Sequence, residues 1–486
     1  MSSPELPPAV PEPAVSPASP ADIDCSCRAP VLALFVTALG WLVLATAFGL
    51  LASLKFHAPA LLAECPVFTY GRVHAAQLNM LAYGFAVPGA LGVTLWLMAR
   101  LGRAPLELPG LPVVGALGWN LGMLLGIGGI LAGNSTGFEW LEMPNNAGGA
   151  LFASYLMIGI PAFLTFHARR VRELYPSQWF LFAALLWLPW SMSSARLLLV
   201  RWPVSGGVQP AIALWFAHNL TVVWVSLMGL AILFYFLPKL SGRPLSSRGM
   251  ALFTFWGLVM LGGWGGVHSA APLPRWLSAV STASNVLMMV PILAAGMNYR
   301  QTIAGREDAI REQTGGRFFL VAGIAYLLWG LVQAGSTIRS VNEVAEFTHL
   351  ATAIHQGGLI AVLGLALLGA IYYIAPRLAG GDWPIERLVS LQSVAALSGV
   401  ILYLGSLTGA GIMQGFALND PAVSFFESTK RSLMFFRLST LGDLLLFVGA
   451  VMLLVNLVAL LWQGARQCCL GAAPVNSKSK TAGATI

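Results

Sequence analysis

Residues 215–247 read WFAHNLTVVWVSLMGLAILFYFLPKLSGRPLSS. From Asn219 to Pro238 this stretch carries no charge, and a helix of that length crosses a hydrocarbon layer of about 30 Å. His218 and Asn219 stand at one end of the run, and Pro238, Lys239, Arg243 and Pro244 at the other. An ionisable side chain in such a span is costly and marks a functional site by default.

The rest of the chain repeats the pattern. It has 486 residues, 57% hydrophobic and 9% charged, against about 25% charged in soluble domains. Windows of roughly 20 apolar residues recur at 31–54, 73–99, 111–133, 147–167, 178–200, 210–238, 250–272, 276–298, 318–338, 350–375, 387–412 and 440–463. Short loops join them, so the expected fold is an all-α polytopic membrane protein with about twelve transmembrane helices in one bundle. The expected organisation is a Pro-rich disordered tail over 1–29, the membrane domain over 30–465, and a disordered C-terminal tail over 466–486. Residues 1–24 lack the basic segment of a secretory signal, so none is expected.

Placing the N-terminus in the cytoplasm puts 18 of the 27 Lys and Arg residues on that side. By the positive-inside rule both termini are then cytoplasmic, as in a bacterial inner membrane. The net charge of +8 reflects this bias, and no nucleic-acid partner is implied; the partner common to all the spans is the lipid bilayer. Cys25, Cys27, Cys468 and Cys469 fall in predicted cytoplasmic tails, where disulfides seldom persist. No C-x-x-C-H motif attaches a c-type heme. No internal repeat supports a two-halved transporter.

Of seven histidines, His57 and His167 lie at span ends. His74, His218, His268 and His355 come from four different spans and can converge, while His349 stands at a helix entrance. Imidazole suits copper and heme iron; interhelical hydrogen bonding is the alternative reading. Ser278, Ser281, Ser284 and Asn285 share one face of the eighth span.

The run from His218 to Pro244, with its His-Asn pair followed by Pro-Lys and Arg-Pro, resembles the sixth helix of the heme–copper oxidase central subunit. It is most similar to that of cbb3-type cytochrome c oxidase. GFEWLEMP (137–144), SQWFLFAALLW (177–187), FWGLVMLGGWGGVH (255–268), SVNEVAEFTHLATAIHQGG (340–358) and GAIYYIAPRL (369–378) are similar to other segments of that subunit. The resemblance spans about residues 31–460. It implies a heme–copper oxidase subunit I-like bundle in a respiratory membrane, with c-type cytochrome subunits as partners and electrons passing from cytochrome c to oxygen or nitric oxide.

The family holds its metals on six histidines. Carried over, His218 and His268 match the first two copper ligands, but the third position is Ser269. The family's cross-linked tyrosine falls at Gly262. Gln77 stands where the first low-spin heme ligand belongs, with His74 three residues before it on the same face. Ile354 and Gln356 occupy the paired ligand positions of the tenth helix, with His355 between them, rotated by about 100°. The expectation is a copper-site remnant at His218 and His268, and at most one heme b, on relocated ligands His74 and His355. Two readings follow: a divergent respiratory oxidase subunit, or a non-catalytic scaffold, assembly or metal-binding subunit on the oxidase fold.

Overall fold

The computed structural model describes residues 18–267 and 273–469. Eleven helices among them are long and apolar enough to cross a membrane: α1 (Pro20–Leu54), α2 (Tyr70–Gly102), α3 (Gly110–Ala132), α4 (Asn145–His167), α5 (Pro176–Arg201), α6 (Val208–Ser241), α8 (Arg275–Ile303), α9 (Gly316–Ser336), α10 (His349–Ala379), α11 (Glu386–Leu418) and α12 (Phe425–Arg466). Between α6 and α8 lies α7 (Arg248–Leu261).

The twelve helices follow the twelve expected windows, with three differences. α1 begins at Pro20, inside the stretch read as a tail. Ser19 caps it by accepting the Asp22 N–H, and proline occupies the first turn, where its missing N–H costs nothing. α12 begins well before residue 440, its first turns supported by an Arg431–Glu427 ion pair at i, i+4.

The third difference is α7. Its helix stops at Leu261 and passes through a 3₁₀ turn, Gly262–Trp264. Four glycines in five residues disfavour helix, and Gly266 takes φ +92°, a backbone region that suits glycine. Fourteen α-helical and three 3₁₀ residues still reach about 27 Å, close to the hydrocarbon thickness of about 30 Å. His268, Ser269 and the three residues that follow lie outside the described residues.

Burial sorts the helices into two shells. The apolar cores of α2, α6 and α10 are 100%, 94% and 89% buried, whereas the other spans range from 33% to 56%. These three helices form the centre, and the other helices surround them and present one side to lipid. Each central helix also contains a π-helical turn: Met80–Ala86, Asn219–Trp224 and Gly358–Gly364. Such turns widen a helix locally and recur at functional sites. Small residues allow the close approach. A Cβ at Gly358 would sit 2.6 Å from the Trp329 ring and 2.9 Å from the Thr221 carbonyl oxygen.

Candidate functional site

The π-helical turns of α2, α6 and α10 begin three residues after Gln77, one after His218 and two after Gln356. Each of these three carried-over positions therefore lies within a turn of its helix's π-helical segment. Around them the bundle encloses three small cavities.

The first cavity, about 60 Å³, is lined by His218, Glu139, Ser281, Asn285, Ile354 and His355 among others. It has room for roughly four to six waters. His218 is buried at 7% exposure, and its Nε2 is 3.1 Å from the Gly262 carbonyl. A carbonyl oxygen only accepts, so Nε2 carries the proton. The glycine loop lies directly on the ring: a Cβ at Gly265 would be 2.1 Å from Nε2, and one at Gly266 would be 2.6 Å from His218 Cβ. Trp215 holds this loop by donating to the Gly263 carbonyl at 2.9 Å. Asn219 fastens α6 to α5, accepting from Trp187 Nε1 at 3.0 Å. The glycines thus let the backbone close over the histidine. The expected stripe on α8 serves the same loop: Ser281 Oγ accepts the Val267 N–H at 3.1 Å. All four stripe residues are buried.

The second cavity, also about 60 Å³, lies between α1, α2, α10, α11 and α12. Its polar lining is Thr46, Gln77, Gln392, Tyr403 and Asp443. The third, about 50 Å³, shares Gly49, Gln77, Tyr403 and Asp443 with the second, and adds Ser53, Tyr70, His74 and His349. Here His74 stacks on Tyr70, with ring centroids 5.4 Å apart. His349 packs edge-on against Phe56 and Phe436.

His74 and His355 therefore line different cavities. His74 belongs with His349, whereas His355 shares its cavity with His218. The reason is the facing of α10: the residues at 354 and 355 turn towards α6 and α8, and Gln356 turns towards α11. There Gln356 Oε1 accepts the Tyr403 hydroxyl at 2.7 Å, both groups being buried. Residues 354 and 356 thus face two different sides of α10.

The residues present do not fit hemes bound in the family's way. Ile354 has no donor atom, and Gln356 is committed to Tyr403. Gln77 offers only an amide. Copper taken through His218 Nε2 would have to break the bond to Gly262. Among the described residues no group of three or more His, Cys, Asp or Glu side chains is arranged to hold a metal.

Sequence reasoning passed over Asp443, Tyr403 and Gln392. Asp443 was visible as a lone carboxylate inside an apolar run, which by itself is a functional signal. In the segment 137–144, Glu142 is buried outside the spans. It accepts from Asn79 Nδ2 at 2.7 Å, while Tyr83 donates to the neighbouring Trp140 carbonyl at 2.6 Å. Burial pushes the Glu142 carboxyl up to about 7, against the lowering effect of the Asn79 bond.

Comparison with known proteins agrees with this architecture. Residues 29–445 match the model of the family described as cytochrome c and quinol oxidase polypeptide I. The chain is similar to the cbb3-type cytochrome c oxidase subunit CcoN1 of Stutzerimonas stutzeri, 22% identical over 431 residues, covering 86% of this chain and 91% of the relative. It is also similar to a cytochrome c oxidase subunit 1 homolog of Agrobacterium tumefaciens, 25% identical over 446 residues, with 86% and 80% covered. In structure it is similar to a heme–copper terminal oxidase dimer solved by cryo-EM, with TM-score 0.68 and 13% identity over 89% of this chain and 84% of the other. The chain belongs to the cytochrome c and quinol oxidase polypeptide I family, as a heme–copper oxidase subunit I-like protein with cbb3-type relatives.

Proposed function

We propose that this protein is a divergent cbb3-type subunit I-like component of a respiratory electron-transfer system, a membrane scaffold that does not reduce oxygen or nitric oxide at the family's heme–copper centre. The observation that carries the reading is on α10, where Ile354 offers no donor atom and Gln356 is hydrogen-bonded to Tyr403. The relatives' names place them in cytochrome c oxidases, and c-type cytochrome subunits are the partners proposed here. The basic bias of the loops supports a bacterial inner membrane with both termini cytoplasmic.

The test is oxygen and nitric oxide consumption by the purified protein supplied with reduced cytochrome c. No turnover above a protein-free control is expected, and sustained turnover refutes the reading.

A metal-binding variant of the reading has its own support: the His218 and His355 imidazoles line one polar cavity. His268 is the third proposed ligand, and a copper ion held there would supply a one-electron redox centre. Copper quantification separates the two variants. Stoichiometric copper lost in both His218→Ala and His355→Ala supports a surviving ion, and copper-free wild type makes the histidines a relic. The relocated heme pair of His74 and His355 has no comparable support, because these two side chains line separate cavities.

A further inference from the structure

Asp443 is 5% exposed within the span Phe425–Arg466. Buried ionisable groups in spans commonly mark proton relays. Its Oδ2 has no hydrogen-bond partner among the described residues. Gly49 packs against it: a Cβ there would meet Oδ1 at 3.4 Å, an ordinary contact distance. Asp443 stands where the second and third cavities join, since it lines both.

A file of polar side chains leads away from this carboxyl. Ser53, on the last turn of α1, lines the third cavity together with it, where a water can bridge the two side chains. The Ser53 and Thr440 hydroxyls are 2.8 Å apart. Thr440 Oγ1 is 3.0 Å from His57 Nε2, just past the end of α1, on the face of the bundle opposite the chain ends. On the other side of Asp443, Gln392 Oε1 is a second buried acceptor with no partner among the described residues, and it lines the same cavity as Asp443 and Gln77. Buried polar groups of this kind are the ones internal waters bond, and the cavity of about 60 Å³ admits roughly four to six.

The geometry points to a proton path from the face opposite the chain ends, through His57, Thr440 and Ser53, to Asp443 and the cavity beside Gln77. In one transfer the His57 Nε2–H proton passes to Thr440 Oγ1, the Thr440 proton to Ser53 Oγ, and the Ser53 proton, relayed by a cavity water that gives up one proton as it gains one, to the Asp443 carboxylate. Each hydroxyl ends with one proton, as it began, and the net change is one proton moved from the imidazolium to the carboxylate. No oxidant or reductant is needed. Thr440 also donates to the Phe436 carbonyl at 2.9 Å, so the hydroxyl must rotate between this acceptor and Ser53 for each transfer.

The titratable groups around Asp443 are Tyr70 and His74 on α2, His349 on α10, Tyr403 on α11 and His57. Neither cavity has Lys or Arg in its lining. Lys55, at the end of α1, donates to the Leu61 carbonyl, and Arg437 on α12 is exposed. No lining cation therefore holds Asp443 in a fixed ion pair.

The test is infrared spectroscopy of the full chain in nanodiscs, following deuterium exchange of the protonated carboxyl band that disappears in Asp443→Asn. Thr440→Val, which removes the hydroxyl at nearly constant volume, should slow deuteration of that band roughly tenfold or more. Thr440→Ser, which keeps the hydroxyl, should exchange like the wild type and shows that the fold tolerates change at this position. Exchange as fast in Thr440→Val as in the wild type overturns the proposal. So does the absence of any Asp443-dependent carboxyl band across the pH range in which the protein stays folded.

Discussion

Replacing Gly265 by alanine tests the closure of the glycine loop over His218. The new methyl would lie 2.1 Å from Nε2 and 2.4 Å from Cε1, whereas ordinary contact begins at 3.4 Å. The ring must therefore retreat by about 1.3 Å, the difference 3.4 − 2.1, or the loop must lift by as much. Either movement takes the 3.1 Å bond to Gly262 out of hydrogen-bonding range. Losing a buried hydrogen bond costs about 1–3 kcal/mol, and overpacking adds about 1–3 kcal/mol, a total of about 2–6 kcal/mol. Gly265 has φ −74°, so alanine adds no backbone strain and the loss reads the contact alone. Gly263→Ala is the control, because its Cβ would meet Trp187 at 3.3 Å, close to ordinary contact. Unfolding of both variants in detergent, by heat or SDS titration, should show a large loss for Gly265→Ala and a small one for Gly263→Ala. A Gly265→Ala loss within about 0.5 kcal/mol, the range of neutral surface changes, refutes the packing of this loop on His218.

Three further outcomes follow from the same geometry. Tyr403→Phe leaves Gln356 Oε1 without its 2.7 Å partner and should cost about 1–3 kcal/mol in the same unfolding assay; unchanged stability would mean that Gln356 is not committed to this bond. Glu142 gives a pH dependence: its carboxyl rises from 4.5 to about 7 on burial, so the folded state binds the extra proton between those values. Stability then falls by about 3 kcal/mol as pH rises from 4.5 through 7, and Glu142→Gln should flatten this slope; an equal slope in the variant would assign it to other groups. Single cysteines placed at Arg243 and at Glu139, both exposed, should label from opposite sides of the membrane, and labelling from one side refutes the twelve-crossing topology.

The spans were legible because length and apolarity suffice to find them. Which spans occupy the centre was not, since lipid-facing and buried helices are both apolar and periodicity loses its meaning in a membrane. α7 departed from its expected window because the glycines of 262–266, visible in the sequence, ended the helix; that the loop then closes over His218 is a tertiary contact that no local pattern encodes. On α10 the counting separated 354 from 356, and in the structure Ile354 lines the cavity of His218 while Gln356 bonds Tyr403. The sequence offered His355 as a relocated heme ligand with His74, whereas the structure puts it in the lining of the His218 cavity, a grouping that needs the packing of α10 against α6 to be seen. Asp443 was legible as a charge in a span, but its role depends on Ser53 and Thr440 from two helices far apart in sequence.

The central claim is that the oxidase scaffold persists without the family's heme ligands. Pyridine-hemochrome quantification of the purified protein, with a reduced-minus-oxidised spectrum recorded beside His74→Ala and His355→Ala, tests it most directly. The account predicts at most one heme per chain. Two hemes per chain, with the paired low-spin and high-spin signature of an oxidase, would contradict it.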